Sequence, residues 1–199
     1  MQYRPLIRRP AGQQGFSLME VLVSIVVLSF GLLGMVGMQA AALQSNREAR
    51  LQSSAARYAR ELAEMMRGNR ETGILRTTAT NPYLGDFTAS NIPTTTVNCY
   101  TNAVICNSPK KIGEWEMREW LTRLNSDLPG ARVVICFDSL PFVPTTGLPR
   151  WACNDTGDVA MVKIGWTRRS TDTSNVGDAA FERATVPSIV VPVTPGSST

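Results

Sequence analysis

Gly15-Phe16-Ser17-Leu18-Met19-Glu20 opens the stretch that decides the fold, and the run Val21 to Leu43 completes it. A short basic leader ends in glycine, a phenylalanine follows, and one carboxylate stands four residues beyond it. No further charge appears until Arg47. From Phe16 to Leu43 the chain is apolar apart from Ser17, Glu20, Ser24, Ser29 and Gln39. As a helix this span covers roughly 42 Å at about 1.5 Å per residue, against roughly 30 Å for a hydrocarbon core. It is long enough to cross a bilayer. A charge at mid-membrane costs roughly 2.5–3.5 kcal/mol on insertion scales, which makes Glu20 a functional candidate.

Charge supports a membrane reading more than a nucleic-acid one. The 199 residues carry a formal net charge of +4, but Arg4, Arg8 and Arg9 lie in the leader with no acid beside them. Beyond the leader the balance is close to neutral. A basic segment next to an apolar span is retained in the cytoplasm. No basic, aromatic-interleaved patch accompanies it, so no nucleic-acid partner is expected. The chain has no histidine, which excludes Ser-His-Asp and Cys-His chemistry and His-ligated metal within it. Nor is the leader an ordinary secretory signal, in which the apolar region precedes the cleavage site. Here a cut after Gly15 leaves the apolar segment on the mature protein; the plainer alternative is an uncleaved single-pass anchor.

The helical pattern continues past the span. Leu51, Ala55, Tyr58, Leu62 and Met65 form one amphipathic stripe, with Arg57, Arg60, Glu61, Glu64 and Arg67 off it. Arg57 with Glu61 and Arg60 with Glu64 are spaced as i,i+4 ion pairs. Gly68 or Gly73 ends the helix. One helix from Phe16 to about Arg70 is thus expected, roughly 80 Å long. The chain divides into a leader (1–15), an apolar half-helix (16–43), an amphipathic half-helix (44–72) and a globular remainder (73–199).

In that remainder, 73–98 reads as a long connecting loop rich in Thr, Asn, Gly and Pro. A short helix over Ile112–Leu128 follows, with Met117, Trp120, Leu121, Leu124 and Leu128 on one face and Pro129-Gly130 stopping it. Three strands are expected. They are Arg132–Phe137, Val159–Thr167 with Ala160, Val162, Ile164 and Trp166 on one face, and an edge strand within Thr185–Val193 that holds Pro187 and Pro192. Strands joined by loops give an antiparallel sheet, so the fold class is α+β: a long N-terminal helix on a small sheet, with an additional short helix.

The segment GFSLMEVLVSIVVLSFGLLG resembles the class III signal of type IV pilins and of type II secretion pseudopilins. The resemblance implies the type IV pilin fold. It also implies that a prepilin peptidase cuts after Gly15 and N-methylates Phe16, and that Glu20 holds the family's assembly glutamate. The rest of the chain resembles the PilV subfamily of minor pilins, the type IV pilus modification proteins. SIVVLSFGLLGMVGMQAAAL and ARELAEMMRGNRE are similar to that subfamily's helix, and GEWEMREWLTRLNSDLPGARVVIC to its Trp-containing helix and following strand. Cys99 and Cys106 also fall where that subfamily tends to have cysteines.

Glu20 then gains a physical role. A cut at Gly15 creates a charged amine on Phe16, and Glu20 of one subunit could pair with the amine of a neighbour. An unpaired charge in an apolar filament core costs several kcal/mol, so pairing would penalise wrong register. Gly31, Gly34 and Gly37 admit two readings: close helix packing, or a weak point that unwinds, since each glycine costs about 1 kcal/mol of helix stability. No proline interrupts the chain between Phe16 and Asn81, unlike the helix-breaking proline usual in major pilins.

The four cysteines, Cys99, Cys106, Cys136 and Cys153, lack CxxC spacing, so no metal site is expected. An even count beyond a membrane span favours disulfides in an oxidising compartment. Three connectivities are possible, and Cys99–Cys106 with Cys136–Cys153 is favoured because both close short loops. Asn154, Asp155 and Asp158 beside Gly157 have the composition of a plain turn rather than a calcium loop. Trp115 and Trp120 read as helix-packing residues.

The resemblance implies no enzyme and no cofactor. It implies a subunit of a tip or priming complex for type IV pilus assembly, connected to a tip adhesin. The implied partners are other minor pilins, the major pilin, the inner-membrane assembly platform and the prepilin peptidase. The protein would sit in the bacterial inner membrane with its head in the periplasm, then in the extracellular pilus. The second reading is a type II secretion pseudopilin of the GspI kind. From another class, a membrane-tethered enzyme using a cysteine pair would need an accessible low-pKa thiol.

Overall fold

The computed structural model describes residues 17–94, 98–101, 106–170 and 174–195. The architecture is α+β: a long N-terminal helix, a small antiparallel sheet and a further short helix. Helix α1 runs Leu18–Gly68. Compactness divides the chain at Asn46/Arg47, within that helix.

The first unit is bare helix. Every residue from Ser17 to Asn46 is exposed, and this stretch makes α1 long and apolar enough to cross a membrane. Ser17 starts the helix by accepting from the amides of Glu20 and Val21.

In the second unit, residues 47–68 of α1 bury Ala55, Tyr58, Ala59, Leu62, Ala63 and Met66. The expected stripe is correct in period but displaced at its edges. Leu51 and Met65 only flank the core, and Met66 fills its centre. Two adjacent methionines satisfy the same spacing, and only the steps of 3 and 4 from Ala55 and Ala59 choose between them. Small side chains, Ala55, Ala59 and Ala63, alternate on this buried face with the larger Tyr58, Leu62 and Met66. After Gly68 a single turn follows, α2 (Arg70–Gly73). A Cβ at Gly73 would lie 2.7 Å from the Met66 carbonyl oxygen, so glycine permits this closure.

Helix α3 (Pro109–Asp127) starts three residues before the expected Ile112. Ser108 caps it by accepting from the Lys111 amide, and Pro109 occupies the first turn, where a missing N–H costs nothing. Met117, Trp120, Leu121 and Leu124 are buried along it, and Leu128 follows at its end. The Trp120 indole N–H donates to the Tyr58 carbonyl at 3.2 Å, which ties α3 to α1.

The sheet comprises β1 (Gly85–Thr88), β2 (Arg132–Phe137), β3 (Ala160–Gly165) and, late in the chain, β6 (Ile189–Val193), all antiparallel in the order β1-β2-β3-β6. Strand β1 corrects the expectation of an unbroken loop over 73–98. Its four residues bury one side chain, Phe87, too few for a readable period, and it exists through pairing with β2. Its outer edge is closed locally: Asn91 accepts from the Thr88 amide and donates to the Asp86 carbonyl. Strand β6 is the other edge and carries Pro192, where a missing N–H is tolerated. A two-residue hairpin, β4 (Arg168–Arg169) with β5 (Phe181–Glu182), lies beside a short 3-10 turn, Gly177–Ala180.

Val133, Ile135 and Phe137 of β2, with Ala160, Val162 and Ile164 of β3, join the helices in one core. The opposite face of the sheet is also buried. It holds Val134, Cys136 and Lys163, with Lys163 0 % exposed.

Candidate functional site

Gly15 and Phe16, the expected cleavage and methylation residues, lie outside the described residues. Glu20 lies in the first turn of α1 and is exposed. A carboxylate there is favoured by the positive end of the helix dipole. Ser24 donates its hydroxyl to the Glu20 carbonyl at 2.7 Å, and Ser29 does the same to Ile25. The two serines thus satisfy themselves within the helix and leave the lateral surface apolar. Around them Leu22, Val26, Phe30 and Leu33 are each at least 46 % exposed. The helix is continuous through Gly31, Gly34 and Gly37, and a Cβ at any of the three would meet open space.

The second unit holds the cysteines. Cys99 is bonded to Cys106 and Cys136 to Cys153. With all four bonded, no thiol is available for cysteine catalysis. Trp120 is fully buried against Tyr58, ring edge to ring face with centroids 5.9 Å apart. Trp115 is only partly buried and meets Tyr100, 4.7 Å away, in the loop closed by Cys99–Cys106. The stretch 154–158 is a turn. The Asn154 carboxamide oxygen accepts from the amides of Ser139 and Thr156, Asp155 takes a left-handed φ of 54°, and Asp158 pairs with Arg76 at 3.0 Å.

Three charged arrangements depart from the sequence reading. The first concerns the exposed face of α1. The i,i+4 pairs expected there give way to longer-range partners: Arg57 bonds Asp127 at 3.2 Å, and Arg123 bonds Glu61, both joining α1 to α3, while Glu64 bonds Arg67. Burial pushes the Tyr58 hydroxyl up to about 12, and the Asp127 carboxylate it bonds at 2.8 Å adds to this.

A second cluster joins Asn69, Tyr83 and Glu116. Asn69 donates to the Tyr83 hydroxyl at 3.0 Å, and that hydroxyl donates to Glu116. Burial raises the Glu116 carboxyl above its ordinary range, and the bond from Tyr83 opposes the rise.

The third is the pair Lys163 and Asp138, both side chains 0 % exposed and 2.5 Å apart. Asp138 lies near Cys136 and Cys153 in a set of metal-ligating types, but the sulfurs are bonded to each other and the carboxylate to the ammonium. Sequence reasoning passed over this pair. Its one signal was a lysine inside an otherwise apolar strand, which also fits a solvent-facing position.

Residues 10–36 match a family described as the prokaryotic N-terminal methylation motif. The comparisons with curated proteins and with solved structures gave no match. The matched residues include Gly15, Phe16 and Glu20. The chain therefore carries a class III signal of the pilin and pseudopilin kind on an apolar N-terminal helix, which fits a membrane-anchored protein of the pilin or pseudopilin type.

Proposed function

We propose that this chain is a minor pilin that joins other minor pilins in a priming complex at the tip of a type IV pilus and connects that complex to a tip adhesin. One observation carries the reading: the methylation-motif match over 10–36 runs directly into a helix whose apolar surface is uncovered through Asn46. An exposed apolar surface of this extent needs lipid or other apolar helices. Both settings belong to a pilin, first in the inner membrane and then in the filament.

In this reading the prepilin peptidase removes 1–15 and methylates Phe16. Residues 16–43 serve as anchor and then assembly helix, 44–72 seat the helix in the head, and 73–199 form a periplasmic head. Glu20 meets the Phe16 amine of a neighbouring subunit. The disulfide-bonded head supports an oxidising compartment. The major pilin and the inner-membrane assembly platform complete the set of partners.

The test begins at the amino terminus. Mass analysis of protein isolated from membranes or filaments should find a chain starting at N-methylated Phe16. An intact leader would sink the reading. Deleting the gene should then abolish twitching motility; loss of exoprotein secretion with motility intact would instead assign a pseudopilin.

A further inference from the structure

The connection from β2 to β3 carries a small hairpin of its own. Phe142 bridges Pro149, the Val143 amide donates to the Leu148 carbonyl at 2.8 Å, and the Arg150 amide donates to the Pro141 carbonyl at 3.0 Å. No charged residue occurs between Ser139 and Pro149. Leu140, Phe142 and Leu148 are 50 %, 46 % and 54 % exposed. Such a segment lacks a core to hold it, so its order must come from its base.

The base contains the Cys136–Cys153 disulfide and, beneath it, Lys163. The ammonium donates to Asp138 Oδ2 at 2.5 Å, to the Ala152 carbonyl at 2.8 Å and to the Trp151 carbonyl at 3.5 Å, and it lies 3.8 Å from Cys153 Sγ. An ammonium has three donors and no acceptor, so these three oxygens satisfy it. Two of the three belong to residues immediately before Cys153, whose place the disulfide fixes. Asp138 has other support, from the Leu140 amide at 3.0 Å and from Arg150 at 3.8 Å. A buried charge is tolerated only when its hydrogen-bonding capacity is filled.

We propose that Lys163 and the Cys136–Cys153 disulfide form one redox latch. The oxidised bond holds 151–153 over the ammonium, and reduction unpairs the ammonium from both carbonyls and frees the hairpin. The chemistry is ordinary thiol–disulfide exchange. Two molecules of a small thiol such as glutathione supply two electrons and two protons. The S–S bond breaks, Cys136 and Cys153 become thiols, and the small thiols leave as their disulfide. Linkage runs both ways: whatever Lys163 contributes only to the oxidised form makes the bond harder to reduce. The hairpin with its apolar side chains is thus set only after oxidation. This inference stands apart from the pilin reading and holds or fails without it.

The chain supplies its own probe, because it has three lysines. Lys110 and Lys111 are exposed and Lys163 is buried. The full chain in detergent micelles is treated with an amine-acylating reagent before and after equilibration with glutathione, and each lysine and cysteine is read by peptide mass. In the oxidised protein Lys110 and Lys111 should react and Lys163 should be spared. Once Cys136–Cys153 opens, Lys163 should react as well. Continued protection of Lys163 in molecules with that bond open overturns the latch.

A second arm uses Lys163→Met with Asp138→Leu, which replaces the ion pair by apolar side chains. The Cys136–Cys153 bond should become about tenfold easier to reduce, about 30 mV for a two-electron couple. Cys99–Cys106 in the same molecules should not change. An unmoved midpoint in the folded double variant overturns the coupling, and if that variant does not fold, the acylation of the unmodified chain decides alone.

Discussion

The two halves of α1 are one helix by backbone and two materials by side chain. Residues 18–46 present Leu, Val, Ile, Met and Phe all round, and none of them is covered. Residues 47–68 present one buried face of alanines with Tyr58, Leu62 and Met66, and their charges lie outside it. The difference teaches where each half finds its stability. The second half closes its account within this chain, against α3 and the sheet. The first half buries nothing, so its free energy depends on lipid or on other helices. A substitution should therefore report on folding in one half and on assembly in the other.

The sharpest break of that comparison is Glu20→Ala. It removes an exposed charge on the uncovered half, so head stability should be unchanged and leader processing should persist. Incorporation into filaments should fall at least about tenfold, because an unpaired charge in an apolar core costs several kcal/mol. Immunoblots of sheared filaments against whole-cell protein measure it; normal incorporation would remove Glu20 from the assembly mechanism. Trp120→Ala should act on the opposite property. It empties a large fully buried site and deletes the bond to the Tyr58 carbonyl, costing about 3–5 kcal/mol in chemical denaturation of the head.

A matched pair sharpens the boundary further. Leu62→Ala, at a position 0 % exposed, should destabilise the head by about 2–5 kcal/mol. Val26→Ala removes a side chain that is 46 % exposed and should leave head stability within about 0.5 kcal/mol. Equal effects of the two on thermal unfolding would show that the halves are not energetically distinct.

The helix and its faces were largely legible in the sequence, because periodicity and charge report on faces. A charge-free run followed by a 3.6-residue stripe needs no partner to be read, and neither does the alternation of Ala160, Val162 and Ile164. What escaped were features set by pairing across the chain. Strand β1 exists because Gly85–Thr88 meets Ile135–Arg132. Arg57 chose Asp127, and Glu61 chose Arg123, because α3 shares its core with this part of α1. Lys163 is buried because the β2–β3 connection returns over the sheet and supplies two carbonyls. The start of α3 was readable in Ser108-Pro109, but a search anchored on the first apolar residue begins a turn late. The motif at 15–20 was plain as sequence, and the role proposed for it involves a second molecule, which no intramolecular pattern encodes.

Two carboxylates carry the same contrast at the smallest scale. Glu20 is exposed on the uncovered half, whereas Glu116 is partly buried and accepts from Tyr83 within the head. Burial raises the Glu116 carboxyl above its ordinary 4.5, against the opposing bond from Tyr83. In the window above 4.5 the folded state therefore holds the proton more often than the unfolded chain. Stability from this group is fully present below the unfolded value and falls as pH rises through the folded one. Glu116→Gln keeps an acceptor for Tyr83 and removes the titration. Denaturation of the wild type and the variant, compared from pH 4 upward, should show a modest fall in the wild type alone, levelling once Glu116 is ionised. A parallel pH dependence in both proteins would mean that the head does not register the charge of Glu116.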